Sequence, residues 1–328
     1  MNHPASASGL RRRHFVLSGA SAAVLAPFQV RAAGASASPP IHMIIPFGPG
    51  GLADVTTRVT MQKLADKLGQ QVIIENRPGA GGVVAATSAL SAPHDGTTLI
   101  LFANGTTIAK TLLKLPYDPQ ADFLPVSTLA YFDLNLLVKK DSPFADLQAL
   151  LAEGRKRQLV LGAINPGSTQ HLSAELFRSV AKVDASVIPF RTSGDVQSAL
   201  MRGDIDLGFE SYAALGGGIK AGLLRALATT GPRRTPWLPQ VPTTREAGLP
   251  AYEVTGWNAV YAPRGTPDAV LARLNAAMRD VLAQPALQQR LVALGVEPRA
   301  CTGPELAALF EHDRLKWAQV IRQANIKI

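Results

Sequence analysis

Beyond residue 40, short apolar runs alternate with stretches whose apolar residues recur at helical spacing. Ile41-His42-Met43-Ile44-Ile45 is one such run and predicts a buried strand. It ends in the turn Phe47-Gly48-Pro49-Gly50-Gly51 and leads to a helical pattern over 55–68, with Met61, Leu64, Ala65 and Leu68 on its apolar face. The same build returns at Leu159-Val160-Leu161-Gly162-Ala163, followed by Asn165-Pro166-Gly167-Ser168-Thr169-Gln170-His171 and a helical pattern to Val180. Further strands are predicted over 71–75, 97–102, 185–189, 205–209 and 224–228, and a helix opening near Asp141–Leu147. The alternation predicts an α/β fold with largely parallel sheets.

Two segments break the alternation. Residues 126–138 and 253–261 are extended and apolar, and each suits a crossing between lobes. The expected division is one lobe from 38–138 with 257–328 and a second from 139–256, the Pro-rich stretch 232–250 being a surface connection. Residues 266–324 read as helical, with Val270, Leu271, Leu274, Met278 and Leu282 on one face. A double connection permits hinge closure. Each lobe then contributes a strand, a glycine turn and a helix start, and a helix start offers free N–H groups at the positive end of its dipole. Two such ends facing one cleft would clasp a small anion.

Composition narrows the partners. The formal charge is +9, but Arg11, Arg12, Arg13 and Arg31 lie in an N-terminal stretch without an acidic residue. That stretch, residues 1–37, has a twin-arginine basic region, a mildly apolar Ser18–Phe28 part and small residues to Ala37, which predicts a cleaved export signal and a periplasmic protein. The remaining positive charge suits small anions. No basic stripe interleaved with aromatics is present, so no nucleic-acid partner is expected. Cys301 is the single cysteine, which excludes an intrachain disulfide and a thiolate metal cluster.

A set of motifs in fixed order carries a resemblance. Pro46-Phe47-Gly48-Pro49-Gly50-Gly51 with Asp54, Glu75-Asn76-Arg77-Pro78-Gly79-Ala80-Gly81-Gly82, Leu115-Pro116-Tyr117-Asp118-Pro119, Gly167-Ser168 with His171, and Pro242-Thr243 with Glu246-Ala247-Gly248 resemble the Bug receptors. These are the extracytoplasmic solute-binding proteins of tripartite tricarboxylate transporters. The resemblance runs from about Ile41 to the C-terminus. It implies a two-lobe Venus-flytrap fold of the periplasmic-binding-protein type, type II-like; the signal and the two crossings predict a monomer, and no cofactor is expected. It also implies a carboxylate held between the glycine turns by backbone amides, small hydroxyls and waters, and a permease of one large and one small membrane protein. Phe190-Arg191-Thr192 stands where Tyr-Lys-Gly is frequent, and Glu210-Ser211 where Asp-Asn is frequent, positions that help choose the ligand.

The candidate ligand-binding residues follow from the turns and the motifs. Gly50, Gly51 and Ala53 bring backbone N–H groups to the first helix start, and Gly167, Ser168 and Thr169 to the second. Asp54 is either a helix N-cap, the favoured role, or a contact for an ammonium or hydroxyl. Phe47 walls the cleft or belongs to the core. Ser168 caps its helix or donates to the anion, and His171 is a cationic donor or a packed face residue. Asn104, Gly105 and Thr106 line the cleft edge or form a surface turn. Arg191 could fork onto a second carboxylate or sit in solvent. Glu210 could touch ligand or pair with Arg191, and Tyr212 and Trp257 could stack on ligand or fill the hinge.

An enzyme is the weaker reading. Ser168 and His171 stand three apart at one helix start, no Gly-x-Ser-x-Gly occurs, and Ser179-Val180-Ala181-Lys182 lacks the companion motifs of its enzyme class. No metal-ligand spacing of histidines exists. A sensor presenting ligand to a membrane-bound signalling protein is the nearer alternative.

Overall fold

The computed structural model describes residues 38–323. The export signal expected over residues 1–37 lies outside the described residues. The first sheet is built from β1 (Ile41–Ile45), β2 (Val72–Asn76) and β3 (Thr98–Ala103), in the order β2-β1-β3 and all parallel. Their connections are α1 (Leu52–Leu68) and α2 (Val83–Leu90), and α3 (Asn104–Leu112) follows β3. The chain then enters β4 (Phe123–Lys139), a strand of 17 residues.

After α4 (Leu147–Glu153), a second parallel set forms from β5 (Leu159–Ile164), β6 (Ala185–Phe190) and β7 (Leu207–Ser211), with α5 (Thr169–Ala181) and α6 (Ser193–Arg202) between them. Next come α7 (Tyr212–Lys220) and β8 (Leu224–Thr229), then β9 (Thr255–Pro263) after a connection without regular structure. The chain closes with α8 (Asp268–Leu282), α9 (Pro285–Ala293), the two-residue β10 (Glu297–Pro298) and α10 (Gly303–Gln323).

The sheets are mixed, not largely parallel. β4 runs antiparallel to β9 over Phe123 to Asp133, and antiparallel to β7 and β8 over Leu134 to Lys139. β9 is also antiparallel to β3, and β10 to β4. The reason is the path of the chain. A strand that carries the chain out of one sheet must be met by one bringing it back, so both travel against their neighbours. β4 therefore belongs to both sheets, with no break in its backbone.

Four apolar clusters hold these layers. Met43, Leu64, Leu101 and Val281 typify the one under α1 and α8, and Phe102, Phe123, Trp257 and Tyr261 the one under α2 and α10. Leu161, Phe177, Phe209 and Tyr252 sit at the heart of the second sheet's core, with Val196 and Leu200 on its other face. α10 serves two cores. Leu306 and Phe310 pack with Trp257 and Tyr261, whereas Trp317 and Ile321 join the cluster of Phe177 and Tyr252.

The uniform helix expected over 266–324 is three helices. Pro285 has no N–H to continue α8 and instead starts α9 in its first turn. No helix among the described residues is long and apolar enough to cross a membrane.

Candidate functional site

Strands β1, β3, β5, β6 and β7 each hand directly to a helix, so the N-termini of α1, α3, α5, α6 and α7 gather where strands of the two sheets end. This is where α/β folds hold ligands, because unpaired N–H groups collect there. The N-termini of α1, α5 and α6 open on one chamber. It is lined by Phe47, Gly48, Gly51, Leu52, Ala53, Ala103, Phe132, Ile164, Thr169, Gln170, Arg191, Thr192, Ser193 and Asn258. No aspartate or glutamate is among them.

Capping decides which donors remain free. Gly51 caps α1 without a side chain, leaving the N–H groups of Leu52 and Ala53 at the chamber. Ser168 caps α5 by accepting from His171 N–H at 3.1 Å, which leaves those of Thr169 and Gln170. Thr192 caps α6 by accepting from Asp195 N–H at 3.1 Å, while the Asp195 carboxylate accepts from Thr192 N–H at 3.1 Å. This reciprocal box points the acid away and leaves Ser193 at the chamber. Asn258 on β9, between Ala103 of β3 and Ala130 of β4, is 1 % exposed and its Nδ2 has no partner. A buried amide donor without an acceptor costs about 1–3 kcal/mol, which an acceptor arriving in the chamber would recover.

Two buried acids stand behind this lining. Asp54 is third in α1 and not its N-cap. Its Oδ2 accepts from Gly50 N–H at 2.9 Å, and its Oδ1 from Arg58 Nε and Asn76 Nδ2, each at 2.9 Å. Burial pushes the carboxyl up, but Arg58, the Gly50 amide and Asn76 outweigh it and hold the group below the usual range. Asn76 also donates to Phe47 O at 3.0 Å, so the network pins the first turn from below. Glu210 is wholly buried. Ser193 Oγ donates to it at 2.7 Å, Ser211 N–H at 2.7 Å and Gln170 Nε2 at 3.5 Å. Burial raises its carboxyl despite these bonds.

The two sides of the cleft touch. Thr169 Oγ1 donates to Asn104 Oδ1, and Asn104 Nδ2 donates to Thr255 O at 3.3 Å. Gly105 meets the start of α5 so closely that a Cβ there would stand 2.9 Å from Thr169 N. A Cβ at Gly48 would lie 2.9 Å from Thr192 Cγ2 and 3.1 Å from Arg191 O. Beyond the Gly105 contact lies a second chamber, lined by Pro46, Phe47, Gly79, Gly81, Gly82, Phe102, Thr106, Tyr117, Asn165, Pro166, Gly167 and Ser168.

Of the residues singled out from sequence, Phe47, Gly51, Ala53, Thr169 and Arg191 line the first chamber, and Phe47, Thr106, Gly167 and Ser168 the second. Gly50, Asp54, Asn104, Gly105, His171 and Glu210 line neither. The N–H of Gly50 is spent on Asp54, and Asn104 and Gly105 form the contact between the chambers inside α3, not a surface turn. His171 is 4 % exposed, and burial, with the Arg178 charge, pushes its ring down, which disfavours a cationic donor; it packs on its helix. Glu210 does not pair with Arg191, which is exposed and has no ion pair among the described residues. Ser168 Oγ donates to Ile164 O at 2.5 Å, so its proton is committed to its own turn. Trp257 donates to Asp313 at 2.7 Å within the core, and Tyr212 packs beside Trp237.

Sequence reasoning missed Gln170, Ser193 and Asn258, and it marked Thr192 as a ligand-selecting position without seeing that it caps α6. The string Thr192-Ser193-Gly194-Asp195 carried a readable capping signal, a hydroxyl followed three residues later by an acid. Asn258, a lone amide in an apolar strand, gave a fainter one.

Comparison with known proteins places this geometry. The sequence model described as "Tripartite tricarboxylate transporter family receptor" matches residues 56–326. Protein BugT of Bordetella pertussis is 34% identical over 294 residues, covering 88% of this chain and 90% of BugT. Among solved structures, R. palustris Rpa4515 with adipate superposes with a TM-score of 0.85 at 32% identity, covering 88% of this chain and 98% of that one. MatC from Rhodopseudomonas palustris with bound malate gives 0.79 at 33% identity, over 87% of this chain and 99% of MatC. This chain belongs to the tripartite tricarboxylate transporter receptor family, as a Bug-type solute-binding receptor with the two-lobe α/β fold of periplasmic binding proteins.

Proposed function

We propose that the protein captures a small organic carboxylate in the periplasm, as a monomer, and delivers it to a membrane permease of the tripartite tricarboxylate type. The observation that carries this reading is the first chamber. Three helix N-termini and the unpartnered Asn258 amide converge there, and no acidic side chain lines it. Such a chamber favours a carboxylate over a neutral isostere, because hydrogen bonds to a charged acceptor are the stronger ones. The relatives solved with adipate and malate support the same class of ligand.

The lobes are the two sheets with their helices, and closure is a rotation that brings α3 against α5 and the Gly48 turn against Thr192. A hydrolytic role lacks its machinery at the family motif. Ser168 Oγ is bonded to Ile164 O and to the backbone of His171, while the Nδ1 of His171 has no partner, so no nucleophile and base meet.

Calorimetry with adipate, malate and their diamides tests the proposal. The acids should bind and the amides should bind far more weakly, by roughly 1.5–3 kcal/mol for each charge-assisted bond lost. Equal affinity of an acid and its amide would sink the carboxylate reading. Scattering should show a more compact protein with the bound acid than without it.

A further inference from the structure

A third chamber lies along the strands that join the two sheets. It holds about 490 Å³, within the roughly 300–1,000 Å³ of small-molecule sites. β4 contributes Tyr131, Phe132 and Asp133, the connection between β8 and β9 contributes residues 232–237, and α9 and β10 contribute Val292 and Glu297. Its walls brace each other. The rings of Tyr212 and Trp237 stand 6.3 Å apart, and a Cβ at Gly295, between α9 and β10, would lie 2.7 Å from Tyr212 Cδ1. Only Phe132 also lines the first chamber, so this site stands apart from carboxylate capture.

The polar groups of this chamber lack partners in a particular pattern. Asp133 has no hydrogen bond or ion pair among the described residues, and Gly231 passes so close that a Cβ there would collide with its carboxylate. Burial, with the charges of Glu253 and Glu297, raises this acid; Arg233 is near enough to oppose the rise and too far to pair. Thr235 is 4 % exposed, and its Oγ1 is buried without a partner. Arg233 and Arg299 are exposed and have no ion pair among the described residues, Arg299 lying 5.3 Å over the Tyr131 ring. Arg234, in contrast, is held by Glu246 at 2.8 Å.

We propose that this chamber binds a zwitterionic amino acid with an apolar side chain, its ammonium on Asp133 and Thr235 and its carboxylate on Arg233 and Arg299. The acid is half-buried and the arginines are exposed, so the acid sits deeper. An amine alone would have to pass two unpaired guanidiniums. An anion alone would end against Asp133, with Glu253 and Glu297 near it. A molecule that carries both charges, ammonium leading, opposes neither and makes charge-assisted bonds at both ends. Trp237, half-buried, and Val292, 41 % exposed, offer apolar surface to its side chain. A metal ion is a poor occupant, as no three His, Cys, Asp or Glu among the described residues could hold one.

The test is calorimetry at neutral pH with L-leucine and L-phenylalanine. Each is set against the acid lacking its ammonium and the amine lacking its carboxylate, which for phenylalanine are 3-phenylpropionate and phenethylamine. The wild-type chain should bind an amino acid more tightly than either single-charge counterpart. Asp133→Asn keeps the side chain's shape and should weaken the amino acid roughly tenfold or more, as for loss of a hydrogen bond to a charged group. The same variant should leave titrations with adipate and malate as they are in the wild type. Replacing Arg233 and Arg299 together by Gln should weaken the amino acid in the same direction, with circular dichroism checking the fold of both variants. Absence of amino-acid binding would overturn the site, and so would an amine that binds as tightly as its amino acid. An amino acid indifferent to Asp133→Asn would lie elsewhere, as in the cleft. Equal weakening of amino acid and dicarboxylate by Asp133→Asn would report a disturbed hinge and would likewise remove the assignment.

Discussion

The turns before α1 and α5 have the same build in sequence and are held in opposite ways. α1 has a bare glycine cap, and an ionised acid behind the turn ties Gly50, Arg58 and Asn76 together. α5 is capped by a neutral hydroxyl, with no charged group in its turn. The difference teaches how a donor-lined chamber can be rigid without being neutralised by its own support. Asp54 lies behind the chamber and consumes the Gly50 amide, while the amides of Leu52 and Ala53 stay at the chamber. Ser168 consumes only the amide of His171.

The largest effect should come from breaking the place where the two turns' surroundings meet. Gly105→Ala would place a methyl 2.3 Å from Gly167 O and 2.9 Å from Thr169 N, an overlap that opening of the cleft would relieve, and Ala is the better helix former, so the fold should persist. Overpacking of this kind costs about 1–3 kcal/mol, which predicts up to roughly a hundredfold weaker ligand binding by calorimetry with unchanged urea stability. Weaker stability with unchanged binding would place the clash inside one lobe.

Next, Asp54→Ala should destabilise the chain by about 2–3 kcal/mol, less than for a fully buried pair because Arg58 is half exposed. Ser168→Ala removes a neutral cap and should cost about 1 kcal/mol. Urea titrations of the two variants side by side sharpen the comparison, and equal losses would contradict it. The Asp54 effect should also depend on acid. Its folded value is depressed, so the stability it adds is present above the unfolded value of 3.8 and is lost as pH falls through the lower folded one.

Asp133 of β4 provides the opposite sign. Burial, with the charges of Glu253 and Glu297, raises its carboxyl to about 6 despite Arg233. A raised acid adds stability that is full below its unfolded value and lost as pH climbs through the folded one. Wild-type stability should therefore fall between about pH 4 and 6 by up to roughly 3 kcal/mol from this group, and Asp133→Asn should flatten that segment. An unchanged profile in the variant would assign the slope to other groups.

What the sequence made legible follows from contrast between neighbouring residues. β1, β3, β5 and β8 stand out as apolar runs, and α1 and α5 as periodic stretches bounded by glycine. α2 was hidden because Val83–Leu90 is mostly small and apolar, with little polar face to set a period, and α3 because Asn104–Leu112 is short and opens on Asn-Gly, which reads as a turn. The mixed sheet was hidden for a different reason. Nothing local in β9 says that it lies between β3 and β4, and that long-range placement also turns Asn258 toward the chamber. Turn chemistry at the glycines was readable, whereas whether an acid caps or braces, as with Asp54, depends in part on Asn76, 22 residues away.

α10 begins in the core of one sheet and ends in that of the other, anchored by Phe310 at one end and Trp317 nearer the other. β4 and the return through β9 alone would leave the cleft free to twist as well as to open. A stiff rod fastened on both sides removes most of that torsional freedom and leaves one soft bending direction. The unliganded protein should therefore sample a narrow family of gapes, so that a pair of fluorophores set across the cleft reports a single coordinate.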